Sequence, residues 1–387
     1  MKSIVRTACA ALAAALVASG CARPSLNLGK VIGAAPPDSI AVDLFLIGDA
    51  GLPAPRDEPV LEGLKRAIRW DPARSYVVFL GDNVYPAGLP PEGHAYRDEA
   101  ERILNEQVDV LRDTGVRGLF VPGNHDWDAG GGDGWAAVRR QAEYLEEKGG
   151  DQLEYLPRGG CPGPEVVDLG DAVRIVALDT QWWLHDHAKP RGPESGCAAF
   201  DDRQVIDSVR ALLRTAGTRV TVVVAHHPLV SGGEHGGYFD WPSYAFPLYP
   251  WARRGGFADQ DISTTGYQRM IRVLTVAFQP ERPLVYAAGH EHNLQVLRRD
   301  PAGYLLVSGG GIYGHTSQVR AITGTRYANR ASGFMRLTVL TDGRVRLAVV
   351  LVDAEGQPSE NYSAWLDRPR GEPVPARAAA EGEADAR

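Results

Sequence analysis

The chain has 387 residues, 44% of them hydrophobic and 23% charged, with a formal net charge of -7. That length buries a large core, in one α/β domain or two smaller ones. The acidic balance leaves no electrostatic footprint for nucleic acid, so an anionic substrate has to meet positive charge supplied locally, as bound metal ions supply it.

Lys2 and Arg6 form a basic start, and an uncharged, Ala-rich stretch over 7–20 comes next. It is short for a bilayer-spanning helix and predicts a signal peptide over 1–20. Ala18-Ser19-Gly20 leads into Cys21. Small residues before a Cys resemble a bacterial lipobox, in which Cys21 is lipidated and anchors the chain to a membrane. With Ala22 carrying no acidic retention signal, that membrane is the outer one of a Gram-negative host. The other reading is plain signal cleavage with Cys21 incidental. Both place the protein outside the cytoplasm, in the periplasm or on the cell surface. Residues 21–39 are poor in bulky apolar side chains, contain Pro36-Pro37, and read as a lipidated tether. Residues 40–353 read as the domain. The Pro-, Glu-, Ala- and Arg-rich stretch 354–387 reads as a disordered tail. Cys9 leaves with the signal, and Cys161 and Cys197 remain, both in Gly- or Pro-rich loop sequence. In an oxidising compartment they predict a loop-stapling disulfide.

In chain order, apolar runs predict strands over 41–47, 76–80, 118–121, 173–178, 220–225, 284–288 and 304–307. Two more, 334–340 and 345–352, are joined by the hairpin-like turn Thr341-Asp342-Gly343. Amphipathic stretches predict helices over 99–111, 135–147, 201–213 and 267–278. The third is the clearest, with Val205, Val209, Leu212 and Leu213 on one stripe and Asp201 or Asp202 as N-cap. The alternation predicts an α/β sandwich of two or three layers.

The residues just past five of these runs carry the chemistry. The run 41–47 leads into Gly48-Asp49-Ala50-Gly51, and 76–80 into Gly81-Asp82-Asn83-Val84-Tyr85. Then 118–121 leads into Gly123-Asn124-His125-Asp126, 220–225 into His226-His227-Pro228, and 284–288 into Gly289-His290-Glu291-His292. A Gly-Asp after a strand alone is often only a turn. Five strand ends in one order, each bearing carboxylate, imidazole or amide oxygen, predict a single site at the carboxyl edge of a sheet. This donor mixture suits first-row transition metals.

The order GD…GD…GNH[DE]…H…GHxH resembles the signature of the calcineurin-like metallophosphoesterases. The usual first motif of that superfamily is Asp-x-His, whereas this chain has Asp49-Ala50-Gly51 and carries Tyr85 three residues after Asp82. That exchange is similar to the small, mammalian-type purple acid phosphatases, as are His290-Glu291-His292-Asn293-Leu294-Gln295 and Ser231-Gly232-Gly233-Glu234-His235-Gly236. The resemblance implies a sandwich of mixed β-sheets flanked by helices. It implies one metal on Asp49, Tyr85 and His292, a second on Asn124, His226 and His290, and Asp82 bridging them. It further implies a ferric ion at Tyr85, with divalent iron, zinc or manganese beside it, and hydrolysis of phosphate monoesters. His125 and His235 become candidates to steady the transition state or protonate the leaving group, with Asp126 orienting His125. Tyr85 could instead pack on the loop 86–91.

Phosphodiester or nucleotide hydrolysis on the same core is an alternative, and an inactive surface-binding module is another. The expected partner is a phosphorylated small molecule, with membrane contact only through the lipid. His227 reads as a packing or supporting residue. His185, His187, His94 and His315 read as pocket-mouth or surface-loop residues. The aromatic segment 238–251 reads as a lid, a pocket wall or loop packing.

Overall fold

A computed structural model of the chain describes residues 26–55, 57–69, 71–239, 253 and 260–367. The predicted signal peptide and Cys21, most of the aromatic segment 238–251 and the end of the tail lie outside the described residues.

Two mixed sheets stack face to face. In the first, β2 (Ile40–Ile47), β3 (Ser75–Phe79), β4 (Arg117–Phe120) and β5 (Leu153–Tyr155) run parallel, and β13 (Gly333–Leu340), β14 (Val345–Val352) and β15 (Pro358–Leu366) continue it antiparallel. In the second, β7 (Val173–Ala177), β8 (Val220–Val224), β9 (Val285–Ala288) and β11 (Tyr304–Ser308) run parallel. Around them lie β6 (Glu165–Leu169), β10 (Leu294–Leu297), β12 (Thr325–Asn329) and the short β1 (Leu26–Asn27), all antiparallel to their neighbours.

Side chains alternate across each strand, as the pleat requires. Leu44 and Leu46 of β2 and Val222 and Val224 of β8 meet between the sheets, while Phe45, Ile47, Val223 and Ala225 point outward. Helices cover both outer faces. On the first sheet lie α1 (Pro59–Ile68), α2 (Arg97–Thr114) and α3 (Gly134–Gly149), with Leu64, Leu104 and Leu145 among the buried contacts. On the second lie α4 (Gln181–Leu184), α5 (Asp202–Arg214) and α6 (Thr265–Phe278), with Trp182, Val209 and Leu274 buried. The sandwich therefore has four layers, αββα, rather than two or three. Both faces of the central strands are buried, so their sequences read as continuous apolar runs and do not reveal how many sheets share them.

Local signals account for the helix ends. Asp201 caps α5, its carboxylate accepting from Gln204 N at 2.9 Å, and α2 stops at Gly115 with φ 72°. α1 begins at Pro59 after a capping Glu58. Its apolar stripe is short and lies between Pro-rich turns, so periodicity alone does not reveal it.

The domain boundaries need two corrections. Residues 358–366 form a strand, not part of a disordered tail: Tyr362, Ser363 and Leu366 are buried, while Ser359, Asn361 and Trp365 face out. The biased composition that suggests disorder is concentrated after 366. The segment 26–33 is docked rather than free. Leu26 and Asn27 pair with β12, Ile32 N donates to Ser363 Oγ at 2.8 Å, and Arg346 donates to the carbonyls of Ile32 and Gly33. Backbone pairing, which needs few apolar side chains, holds this segment.

The predicted disulfide is present. Cys161 and Cys197 are bonded, with 5.6 Å between Cα atoms, and tie the loop after β5 to the loop before α5. Among the described residues no helix is long and apolar enough to cross a membrane.

Candidate metal centre

The parallel strands of the two sheets deliver their carboxyl ends to one edge, where β2, β3 and β4 bring Asp49, Asp82 and Asn124 to face His226, His290 and His292 from β8 and β9. Asp49, Asp82 and His290 all have left-handed backbones, at φ 59°, 54° and 70°. Aspartate tolerates this conformation better than histidine, and such strain characteristically collects at functional sites. The glycines beside them leave the needed room. A Cβ on Gly123 would sit 2.3 Å from Asp82 Oδ1, and one on Gly289 would sit 2.5 Å from Asp49 Oδ2.

The side-chain donors fall into two groups that share one atom. In the first, Tyr85 Oη lies 3.2 Å from Asp49 Oδ1, 3.1 Å from Asp82 Oδ2 and 3.0 Å from His292 Nε2. In the second, Asn124 Oδ1 lies 3.0 Å from both His226 Nε2 and His290 Nδ1, which are 3.3 Å from each other. Asp82 Oδ2 is also 3.3 Å from His226 Nε2, so it belongs to both groups. Atoms bound about 2.0–2.2 Å from a common ion are separated by roughly 3–3.5 Å, which is the spacing found here.

Hydrogen bonding alone does not satisfy this packing. His226 Nδ1 donates to the Leu80 carbonyl at 2.9 Å, and His290 Nε2 donates to the Gln260 carbonyl at 3.1 Å. On His290, which burial keeps neutral, Nδ1 then presents a lone pair to the Asn124 oxygen, an arrangement that calls for a cation. Tyr85 has one proton for two carboxylates, Asp49 and Asp82. Burial, then the charges of Asp82 and Asp49, push its phenol well above the ordinary value, so a strongly Lewis-acidic cation is required to ionise it. Burial opposes charge on His226, but Asp82 and Asp49 outweigh it and raise the ring to about 9. Burial likewise opposes charge on Asp82, and His226 and His125 reverse the effect, holding it far below the usual carboxylate range. The residues fit a pair of metal ions.

The supporting residues differ from expectation in places. Asp126 does not orient His125. Its buried carboxylate accepts from Asn83 N at 3.0 Å, Val84 N at 3.2 Å, Gly123 N at 2.7 Å and Gln141 Nε2 at 3.0 Å, so it braces the two loops that carry Asp82 and Asn124. The Pro86 carbonyl orients His125 instead, accepting from Nδ1 at 2.5 Å, and leaves Nε2 4.0 Å from Asp82 Oδ2. His235 reaches the site, its ring tilted by 33° against that of His290 with centroids 4.0 Å apart. His227 lies close enough to His226 and His290 to suggest a ligand. Both its nitrogens are engaged, however, by Thr180 Oγ1 at 2.8 Å and Gln260 Oε1 at 2.9 Å.

His315, read from sequence only as a pocket-mouth or loop residue, lies against His292 with ring centroids 4.3 Å apart. The triple glycine 309–311 after β11 is its one sequence signal. His185 is neither at a mouth nor on the surface: it is buried against Trp127, with ring centroids 4.7 Å apart. His187 and His94 are exposed. Glu291, in sequence only the residue between two histidines, accepts from Ser231 Oγ at 2.7 Å and Gly236 N at 3.2 Å and fixes the loop bearing His235.

A four-layer sandwich with clustered carboxylate and imidazole donors at its strand ends defines an α/β protein with a candidate metal centre. The profile of the calcineurin-like phosphoesterases matches residues 44–294, and the chain belongs to that family of phosphoric-ester hydrolases, which work through a dinuclear metal centre. Among solved structures, it is similar to GAP50, the anchor in the inner membrane complex of Plasmodium, with 16% identity, 89% of this chain and 94% of that one covered, and a TM-score of 0.53. It is also similar to the purple acid phosphatase PPD1 from yellow lupin (Lupinus luteus) seeds, with 14% identity, 86% of this chain and 54% of that one covered, and a TM-score of 0.52. At these identities the likeness concerns the fold. No curated protein matches the chain in sequence.

Proposed function

We propose that the protein hydrolyses phosphate monoesters outside the cytoplasm. In this reading Asp49, Tyr85 and His292 hold a ferric ion, Asn124, His226 and His290 hold a divalent iron, zinc or manganese ion, and Asp82 serves both. The observation that carries the reading is the shared oxygen, Asp82 Oδ2, which lies 3.1 Å from Tyr85 Oη and 3.3 Å from His226 Nε2. When bound, such a pair of ions supplies Lewis acidity that offsets phosphate charge and acidifies water.

The chain's own groups do the rest. His125, held by Pro86, hydrogen-bonds a phosphoryl oxygen through Nε2 as charge builds there. His235, beside His290, gives a proton to the departing alcohol. Asp126 and Glu291 act one step away, by fixing the loops. GAP50 is described as an anchor, so a non-catalytic role for this fold is a rival. The complete donor set favours catalysis here.

The disulfide supports export. The lipobox-like stretch supports attachment through Cys21, and Cys21→Ser should then release the protein into the soluble fraction. Metal analysis of the purified full chain, followed by a panel of mono- and diesters, tests the reading. Two metals per chain and a preference for monoesters are expected. A metal-replete protein inert on every ester would remove it, and a preference for diesters or nucleotides would replace it with the phosphodiesterase or nucleotidase reading.

A further inference from the structure

Gln260 and Asp261 belong to none of the strand-end motifs, yet three of their acceptors touch the site. The Gln260 carbonyl accepts from His290 Nε2 at 3.1 Å, and its side-chain oxygen accepts from His227 Nε2 at 2.9 Å. Asp261 Oδ1 lies 2.9 Å from His235 Nδ1. Asp261 is itself held by Arg253, which donates Nε to Oδ2 at 2.7 Å and Nη2 to Oδ1. The Asp261 side chain is buried, whereas His235 is 27% exposed.

These contacts settle the His235 tautomer. Arg253 Nη2 is also 3.2 Å from His235 Nδ1, but a guanidinium is only a donor. If Nδ1 were a bare lone pair, it would confront the Asp261 oxygen at 2.9 Å with no proton between two acceptors. Nδ1 therefore carries the hydrogen, and the carboxylate accepts from both His235 and Arg253. No described residue hydrogen-bonds Nε2, which leaves that nitrogen for substrate. Contact with the His290 ring keeps it beside the metal centre.

We propose that Asp261, braced by Arg253, is a positioning residue that locks His235 with Nδ1–H bound and Nε2 presented to the leaving-group oxygen of the ester. The inference rests on the phosphoesterase reading above. A ring that carries a proton on Nε2 as well gives it to the leaving oxygen, which keeps the electron pair of the broken P–O bond, and returns to the neutral form with Nδ1–H still on Asp261. An alkoxide needs that proton, whereas an activated aryl oxide departs readily without it. The Asp261 clamp is thus a specificity determinant that extends hydrolysis to alkyl phosphates.

The test compares glycerol phosphate with para-nitrophenyl phosphate on the full-length, metal-replete protein. Asp261→Asn should lower kcat on glycerol phosphate by roughly 10–100-fold, and on the aryl ester by less than about threefold, with KM and metal content unchanged. Arg253→Gln should give the same pattern more weakly, and it stands in if Asp261→Asn folds poorly. Adding Asp261→Asn to His235→Ala should cost nothing further. Equal losses on both esters, or additive losses in the double variant, would overturn the proposal. If the wild type hydrolyses neither ester, the monoesterase reading fails, and NMR of isotope-labelled histidine then judges the clamp. A protonated Nδ1 in the wild type that is lost in Asp261→Asn supports it, and an unchanged tautomer rejects it.

Discussion

Tyr85 and His292 stand 207 positions apart in the chain, yet the phenol oxygen lies 3.0 Å from Nε2. The same oxygen touches Asp49 and Asp82, so one phenol joins three strand ends. Tyr85→Phe keeps the ring and removes the oxygen. The ferric protein should lose its phenolate charge-transfer colour, and affinity for that ion should fall by about 100-fold or more, taking loss of a supporting residue as the lower bound. Visible absorption and metal titration check this. A variant that stays coloured, or a colourless wild type fully active with zinc or manganese alone, would reject the tyrosinate assignment.

Asp126 and His125 are adjacent in sequence, and their variants should fail differently. Asp126→Ala strands the amides of Asn83, Val84 and Gly123, so it should cost about 3–5 kcal/mol and reduce metal content along with activity. His125→Ala should leave metal content and melting intact and lower kcat by about 10–100-fold. Denaturation and metal analysis of the two proteins separate the roles, and metal loss in His125→Ala would contradict them.

His185 supplies a pH dependence independent of the metals. Burial, then the charge of Lys189, lowers its pKa from 6.5 to about 4. Between those values the unfolded chain binds a proton that the folded chain does not. Stability from this group is therefore complete above pH 6.5 and falls on acidification towards pH 4, by at most about 1.4 kcal/mol per pH unit. His185→Phe keeps a ring against Trp127 and should flatten that part of the profile. Urea denaturation midpoints across the window measure it, and an unchanged slope would show that His185 is not the titrating group.

The disulfide closes a loop with a sequence separation of 36. By chain entropy, replacing both Cys161 and Cys197 with Ser should lower stability by about 4 kcal/mol. The metal donors lie elsewhere, so folded variant protein should retain its metals. Reversible unfolding with and without reductant gives the number, and no change on reduction would argue against the bond.

The chain itself determined the donor types and their order. Strand-end glycines, aspartates and histidines are local features, and a parallel sheet gathers its carboxyl ends whatever its exact layering. The spare cysteine pair was equally legible. Only the tertiary structure decided that Asp126 braces loops rather than His125, that His315 reaches His292, and that Asp261 holds His235. It also decided that Tyr362 belongs to a buried strand and that His290 adopts φ 70°. These depend on contacts between segments far apart in the chain, whereas periodicity and turn chemistry report only on near neighbours. A carboxylate after a strand looks the same in sequence whether its partner is an amide, an imidazole or a metal. Packing chooses, because every buried donor and acceptor must find a partner.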